Sequence, residues 1–167
     1  MFLAFLHPYI DDIIDVGDDG NCGFRFITAL PGWGEESWSL IRTKLDTQVH
    51  QHSDLFSKLF YDNVSIVKNV LRVEHLGVQD REKWTTIPDM GYPIGYKYIV
   101  VFVSLPMTFN ITFPLILAPP MYTSMHTIIV IGFINGNHWV QVKLKPDFPL
   151  SPVTDQWRHN CTDDAKA

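Results

Sequence analysis

The sequence is short of cysteine, of positive charge and of long apolar runs, and each shortage excludes a class of protein. Two cysteines in 167 residues, Cys22 and Cys161, cannot form a disulfide framework or fill a four-ligand zinc site. Asp and Glu number 18 against 13 Lys and Arg, and the net charge of −5 argues against a general nucleic-acid-binding protein. The longest apolar runs, residues 99–103 and 128–134, are far shorter than the roughly 20 residues of a membrane-spanning helix.

The composition is that of one globular domain. Hydrophobic residues make up 46% of the chain and charged residues 19%, which is enough apolar material for a core. A length of 167 residues fits a single compact domain. We therefore expect a reduced, intracellular monomer of the cytoplasm or nucleus that binds neither nucleic acid nor membranes, and we expect no cofactor.

The first half of the chain carries helical patterns and the second half carries strand patterns. An apolar residue recurs every three or four positions between residues 38 and 49, which predicts an amphipathic helix, and shorter patterns predict helices near 55–60 and 66–71. Residues 84–96, with two prolines and two glycines, predict a loop or short turns, and the β-branched run 98–103 predicts a buried strand. This order predicts an α/β or α+β fold.

A β-hairpin is the clearest element of the second half. Segments 127–134 and 137–144 flank Asn135-Gly136, the strongest local signal for a two-residue type I′ turn, which predicts that Ile134 lies opposite Asn137. Before the hairpin, residues 106–122 contain four prolines and predict an irregular connection with a short strand at 110–113.

Cys22 lies where a turn becomes a helix. Asp19, Gly20 and Asn21 favour the turn, and apolar residues recur at helical spacing after Cys22. The dipole at a helix N-terminus favours a thiolate, and a neighbouring imidazolium lowers the pKa of the thiol further. Free amides of the turn and of Cys22 could hold an oxyanion, because Gly20 allows a substrate carbonyl to approach closely. The pattern predicts a nucleophilic thiol.

His138 is the acid–base partner that a nucleophilic thiol requires. Alternation along the second strand of the hairpin places His138 on a core-facing side together with Val140, and Trp139 on the outer face. A cysteine early in the chain and a histidine late, at the start of a strand, is the chain order of papain-like enzymes. An imidazole in this position can take a proton from the thiol and return it to a leaving group.

Two motifs resemble those of one family. Residues 19–25, Asp-Gly-Asn-Cys-Gly-Phe-Arg, resemble the nucleophile motif of the ovarian-tumour (OTU) family of cysteine proteases, which are deubiquitinases. Residues 137–140, Asn-His-Trp-Val, are similar to the histidine strand of that family. The resemblance covers roughly residues 15–144. Residues 135–144 and the segment from Trp157 to Cys161 are most similar to OTU-like proteins associated with plant transposable elements.

The resemblance implies a fold, a domain organisation and a set of roles. The fold is a papain-like OTU fold with a central, mainly antiparallel sheet flanked by helices. The organisation is a lead-in over residues 1–14, an OTU-like domain over 15–145 and a polar, proline-containing tail over 146–167 that is typical of a truncated end. Cys22 is the implied nucleophile, His138 the general base and acid, and Asp19 the motif acid. Gly20 and Asn21 belong to the turn that could hold the oxyanion.

One position departs from the family pattern. The family commonly has Asn or Asp two residues after the histidine to orient the imidazole, and this chain has Val140. Valine cannot accept a hydrogen bond, so another group must orient the ring. Asp19 is the leading substitute, and Asp18 and Asn137 are weaker alternatives.

The remaining candidates have structural interpretations or lie beside the histidine. We expect Arg25 to be an ion-pair or capping partner rather than a clamp on substrate. Trp139 and Asn137 are candidates for a substrate groove because they flank His138. His50 and His52 point to different sides of a helix, so we expect no metal site there.

These observations leave three hypotheses of function. The first is a thiol isopeptidase that cleaves the bond between the C-terminus of ubiquitin, or of a ubiquitin-like tag, and a lysine amine. The second is a non-catalytic OTU-like domain of a transposon-derived protein that acts as a binding module. The third is a papain-like hydrolase of another amide or thioester.

Overall fold

The computed structural model describes residues 4–60, 63–105, 111–114, 127–149 and 152–165. Its α-helices are α1 (Cys22–Arg25), α2 (Trp38–Gln51), α3 (Ser53–Leu59), α4 (Val64–Leu71), α5 (Gly91–Tyr98) and α6 (Asp155–Asn160). Shorter 3₁₀ turns cover Ala4–Tyr9, Phe26–Ala29, Glu35–Ser37, Arg81–Lys83 and Asp163–Ala165. Within these described ranges, no helix is both long enough and apolar enough to cross a membrane.

Five strands form one sheet at the centre of the molecule. They are β1 (Ile10–Ile14), β2 (Val100–Leu105), β3 (Ile111–Phe113), β4 (Thr127–Ile134) and β5 (His138–Leu144), in the order β1-β5-β4-β2-β3. The neighbours β2 and β4 are parallel, and the other three pairs are antiparallel. The predicted α+β fold with a mainly antiparallel sheet and flanking helices is confirmed.

Apolar side chains pack on both faces of the sheet. The face that carries the helices includes Phe24 of α1, Ile41 of α2 and Phe102 of β2, all fully buried. The opposite face buries a smaller cluster around Val103 and Val140. The alternating strand pattern produces these two faces, and the apolar stripe of α2 is buried as its spacing predicts.

Helix α5 begins within residues 84–96, where a loop or short turns were predicted, and it ends at Tyr98. Pro93 is the third residue of α5. Proline has no backbone N–H, and it is tolerated there because N–H groups in the first turn of a helix have no intrahelical acceptor. Ile99 ends the helix in the left-handed conformation with φ 53°, so β2 begins at Val100 rather than at residue 98. A helix that contains Pro and Gly depends on packing rather than propensity, and Ile94 is fully buried.

The hairpin register differs from the prediction by one residue. Asn135 and Gly136 both have positive φ, as a type I′ turn requires, but Ile134 pairs with His138 instead of Asn137. Asn137 therefore belongs to the loop, and its amide donates to the Ile134 carbonyl at 3.2 Å.

That shift changes the environment of Trp139. A shift of one residue changes which side chains of the two strands share a face, so Trp139 lies opposite Phe133 with the ring centroids 4.7 Å apart. Its face is the one covered by helices, and only 6% of Trp139 is exposed. The prediction that Trp139 lies on an outer face is wrong.

Both ends of the described chain pack on the sheet or its helices. Residues 10–14, which the sequence analysis assigned to a lead-in, form the edge strand β1 beside β5. In the segment assigned to a polar tail, Val153 bridges to Thr112, and Trp157 and Cys161 are buried against the helix-covered cluster. Trp157 lies within α6, and Cys161 directly follows its last residue. Of the irregular connection predicted for 106–122, only residues 111–114 lie within the described ranges, and they include β3.

Candidate active site

Cys22 is the first residue of α1 and lies against the start of β5. Its side chain is buried, with 4% exposed, and its sulfur accepts a hydrogen bond from the backbone amide of Trp139 at 3.4 Å. His138 directly precedes Trp139, so the thiol lies beside the backbone at the start of β5, although Cys22 and His138 are 116 positions apart in the sequence.

The turn before Cys22 is held by a second loop. Gly20 has φ +79°, and a Cβ at this position would lie 2.4 Å from the Gln79 carbonyl oxygen and 2.7 Å from Trp84 Nε1. The Gln79 amide donates to the Asp19 carbonyl at 2.8 Å, and Trp84 Nε1 donates to the Gln79 carbonyl at 3.1 Å. Glycine is required at this position for both its φ and its close contact.

Asn21 is fully buried, and its side chain and amide are both engaged. Its Nδ2 donates to the Gly77 carbonyl at 3.0 Å, and its Oδ1 accepts from Arg42 Nη2 at 2.8 Å. Its backbone amide donates to Asp19 Oδ1 at 3.0 Å, so this amide is not free to bind an oxyanion. The amide of Cys22, first in α1 and without an intrahelical acceptor, is the better donor.

Arg42 is a buried cation that the sequence analysis missed. It lies on α2, is 1% exposed, and donates to the carbonyls of Val70 and Lys83, the latter at 2.8 Å. Its guanidinium lies 4.0 Å above the centre of the Phe24 ring, and burial lowers the pKa of Arg42 to about 10. The signal was a charged residue four positions after Trp38, on the apolar stripe of its helix.

Asp19 is paired with Arg25 rather than with the histidine. Its two oxygens accept from Arg25 at 2.6 and 3.2 Å, and Arg25 also pairs with Glu36 at 3.0 Å. Burial raises the pKa of Asp19, but the hydrogen bonds from Arg25 and Asn21 outweigh it, so the pKa lies below its usual value. The structural ion pair predicted for Arg25 is confirmed.

His138 contacts a carboxylate that was not among the predicted candidates. Its Nε2 lies 2.6 Å from Asp15 Oδ1, just beyond the end of β1. This contact was predicted for Asp19, with Asp18 and Asn137 as weaker alternatives, and the structure corrects that prediction. Of these three residues, Asp18 approaches the ring, with Oδ1 at 3.4 Å from Nδ1. Hydrogen bonding to His138 lowers the pKa of Asp15 despite a small opposing effect of burial.

The second ring nitrogen of His138 is available. Nδ1 is buried and has no hydrogen-bond partner among the described residues, because the 3.4 Å approach of Asp18 lacks hydrogen-bond geometry. His138 as a whole is 7% exposed. A buried ring nitrogen without a partner is uncommon and is expected at sites where a group acts on a substrate or a nucleophile.

The thiol of Cys22 has a raised pKa, opposite to the expectation from its motif. Burial raises the pKa, and the nearby carboxylates of Asp18 and Asp19 raise it further, against the hydrogen bonds from the amides of Trp139 and Gly23. Helix α1 has only four residues, so its dipole is too small to compensate. The resting thiol is protonated at neutral pH, and its attack on a carbonyl requires a base.

Of the two groove candidates, one is accessible. Asn137 is exposed at the hairpin loop beside His138, whereas Trp139 is buried. His52, which the sequence analysis weighed as a metal ligand, packs on the Tyr96 ring at 5.0 Å between centroids. Across the ranges that the structure describes, no group of three or more His, Cys, Asp or Glu side chains could hold a metal ion.

Comparison with known proteins identifies the fold. No protein-family model and no curated protein matches the sequence. Among solved structures, the viral OTU domain protease from Dera Ghazi Khan virus is 17% identical, with 84% of each chain covered and a TM-score of 0.52. The OTU domain of OTUD1 is 15% identical over 78% of this chain and 84% of its own, with a TM-score of 0.54. The Hazara virus OTU, solved bound to ubiquitin, is 13% identical over 84% of each chain, with a TM-score of 0.53. The chain has the fold of OTU domains.

Proposed function

We propose that this protein is a thiol-dependent deubiquitinase that hydrolyses isopeptide bonds at the C-terminus of ubiquitin or a ubiquitin-like tag. The OTU-like fold and the two motifs support the reaction class, and the ubiquitin bound to the Hazara virus relative supports the partner. The observation that carries the proposal is the 3.4 Å contact between the Trp139 amide and the Cys22 sulfur, because it brings a thiol to the residue after His138. We assign the activity to a monomer in the cytoplasm or nucleus.

The first half of the reaction forms a thioester. His138 Nδ1 takes the proton of the Cys22 thiol as the sulfur attacks the carbonyl carbon of the C-terminal residue of the tag, and a carbon–sulfur bond forms. The carbonyl electron pair moves to oxygen, and the amide of Cys22 donates to that oxyanion. The oxyanion then collapses, the carbon–nitrogen bond breaks, and the imidazolium gives its proton to the departing lysine amine.

The second half of the reaction releases the tag. His138 Nδ1 takes a proton from a water molecule, whose oxygen attacks the thioester carbon. Collapse of the second oxyanion breaks the carbon–sulfur bond, and the thiolate recovers the proton from the imidazolium. The thiol is protonated before and after each cycle, which agrees with its raised pKa. A base at Nδ1 is therefore needed in both halves.

The experiment is hydrolysis of a ubiquitin C-terminal fluorogenic amide by wild type, Cys22→Ala and His138→Gln. We expect turnover by wild type and none by either variant. The matched control is His159→Gln, which should keep wild-type turnover, because the exposed His159 bonds to the Asp155 carbonyl of its own helix at 2.7 Å. Turnover by folded Cys22→Ala would refute the proposal.

A second function is favoured by two observations at the same site. The thiol has a raised pKa, and Val140 stands where the resemblance expects a polar residue. Both would suit a non-catalytic OTU-like domain of a transposon-derived protein that binds ubiquitin or another partner. Ubiquitin binding by wild type without hydrolysis would support this function. Hydrolysis of a small thioester without action on ubiquitin would instead support a papain-like hydrolase of another substrate.

A further inference from the structure

We infer that Asp15 is the positioning residue for His138, and that it supplies, from just beyond the end of β1, the polar group that Val140 lacks. This inference rests on the proposed function, because a positioning residue matters only if His138 acts as a base. It begins from the 2.6 Å contact between Asp15 Oδ1 and His138 Nε2. Asp15 and His138 are separated by 123 positions in the sequence, so the sheet alone brings them together.

The register of the sheet explains why position 15 can take over from position 140. Strand β1 pairs antiparallel with β5, and Ile14 lies opposite Gln141. Extended by one step beyond the end of β1, the same register would place position 15 across from position 140. Residues directly opposite in an antiparallel pair project from the same face, and the residue two positions along is a diagonal neighbour within reach. Since His138 precedes Val140 by two positions, Asp15 is its diagonal neighbour on that face.

The contact selects one form of the ring. In a neutral imidazole, one nitrogen carries hydrogen and the other carries a lone pair. A carboxylate only accepts hydrogen bonds, so the Asp15 contact places the hydrogen on Nε2 and leaves the lone pair on Nδ1. Nδ1 is the buried nitrogen without a hydrogen-bond partner among the described residues, and the mechanism needs its lone pair. Asp15 therefore fixes both the tautomer and the direction of the ring.

The other acidic residues near the ring cannot do this. Asp19 is held by Arg25 and by the Asn21 amide. Asp18 approaches Nδ1 at 3.4 Å without hydrogen-bond geometry, and a carboxylate bonded there would select the opposite tautomer and occupy the nitrogen that must act as base. Of the acids that approach His138, only Asp15 supports the reactive form.

The expected effect is moderate. In serine proteases, replacement of the orienting Asp by Asn reduces turnover by roughly 10⁴-fold. The Asp15 side chain is 76% exposed, so water can take its place at Nε2 when it is removed. We therefore expect Asp15→Ala to reduce kcat by roughly 10- to 100-fold, well below the loss in the buried serine-protease triad. KM should stay within twofold, because the change affects the base and not the binding surface.

The test has one kinetic readout and one that needs no activity. The kinetic readout is kcat and KM for ubiquitin fluorogenic amide with wild type, Asp15→Ala and the control Asp12→Ala. Asp12 lies on β1 and is also exposed, and its carboxylate pairs with Lys143 at 3.5 Å and accepts from the Ile13 amide at 2.9 Å. The second readout is the ¹⁵N chemical shifts of the His138 ring by NMR at a pH where the ring is neutral. These shifts report which nitrogen carries the hydrogen.

The outcomes separate this inference from the proposed function. We expect the Nε2–H form in wild type and Asp12→Ala, a mixture of tautomers in Asp15→Ala, and a loss in kcat for Asp15→Ala alone. An unchanged tautomer in Asp15→Ala, or an unchanged kcat in an active enzyme, would overturn the inference. If wild type does not hydrolyse ubiquitin amide at all, the proposed function fails, and the tautomer populations still decide whether Asp15 positions the ring.

Discussion

The turn before Cys22 should tolerate no side chain at position 20. Gly20→Ala places a Cβ 2.4 Å from the Gln79 carbonyl oxygen, about 1 Å inside ordinary contact, in a residue with φ +79°. The left-handed conformation costs a non-glycine residue roughly 1–2 kcal/mol, and overpacking adds roughly 1–3 kcal/mol. The expected loss in the free energy of unfolding is therefore about 2–5 kcal/mol.

A matched control separates the two contributions. Gly32 has φ +76°, and a Cβ there would meet nothing within 4 Å. Gly32→Ala should therefore lower the free energy of unfolding only by the cost of the left-handed conformation, roughly 1–2 kcal/mol. The smaller conformational entropy of the unfolded alanine chain makes this loss smaller. The measurement is urea unfolding of both variants, followed by tryptophan fluorescence. Equal losses in the two variants would refute the close packing of the nucleophile turn against Gln79.

Three further predictions concern charged residues around this turn. Arg42→Met should lower the free energy of unfolding by at least about 3 kcal/mol, because it leaves buried acceptors unpaired. The control Arg72→Ala, at an exposed ion pair, should lower the free energy of unfolding by less than about 1 kcal/mol, and urea unfolding measures both. Asp18→Asn removes a negative charge that raises the pKa of Cys22, so alkylation of this thiol by iodoacetamide should begin at lower pH, as measured by peptide mass spectrometry. Asp19 has a lowered pKa in the folded state, so its contribution to stability is present above its unfolded pKa of about 3.9 and is lost as pH falls through the folded pKa. The stability difference between wild type and Asp19→Asn should accordingly disappear in acid, and a constant difference from pH 7 to pH 2 would contradict the ion pair with arginine.

Local patterns were sufficient for the elements whose cause is local. The apolar spacing of α2 predicted a buried helix. The residue patterns around Cys22 and His138 predicted that Cys22 begins a helix and that His138 lies near the start of a strand. The register of the hairpin was not predictable from Asn135-Gly136 alone. The turn closes with the hydrogen bond from the Asn137 amide to the Ile134 carbonyl, but Ile134 pairs with His138, one residue later. The local residue pattern did not indicate helix α5, because burial of Ile94 overrides the low helix propensity of Pro and Gly.

The missing parts of the site depend on contacts that are distant in sequence. Asp15 is one of several acidic residues near the N-terminus of the sequence, and its contact with His138 depends on the pairing of β1 with β5. Arg42 could have been found from its place on the apolar stripe of α2, but its partners at Asn21 and Lys83 are set by tertiary structure. The direction of the pKa shift of the Cys22 thiol could not be predicted from the motif, because its largest cause is burial in the folded protein.

The most direct measurement of the central claim is the mass of the protein after reaction with ubiquitin that carries a C-terminal electrophile. Wild type should gain the mass of one ubiquitin, and peptide mapping should place the new bond on Cys22. Cys22→Ala should gain nothing, although Cys161 remains as a second thiol. Absence of the adduct in folded wild type, or an adduct that persists in Cys22→Ala, would contradict the account.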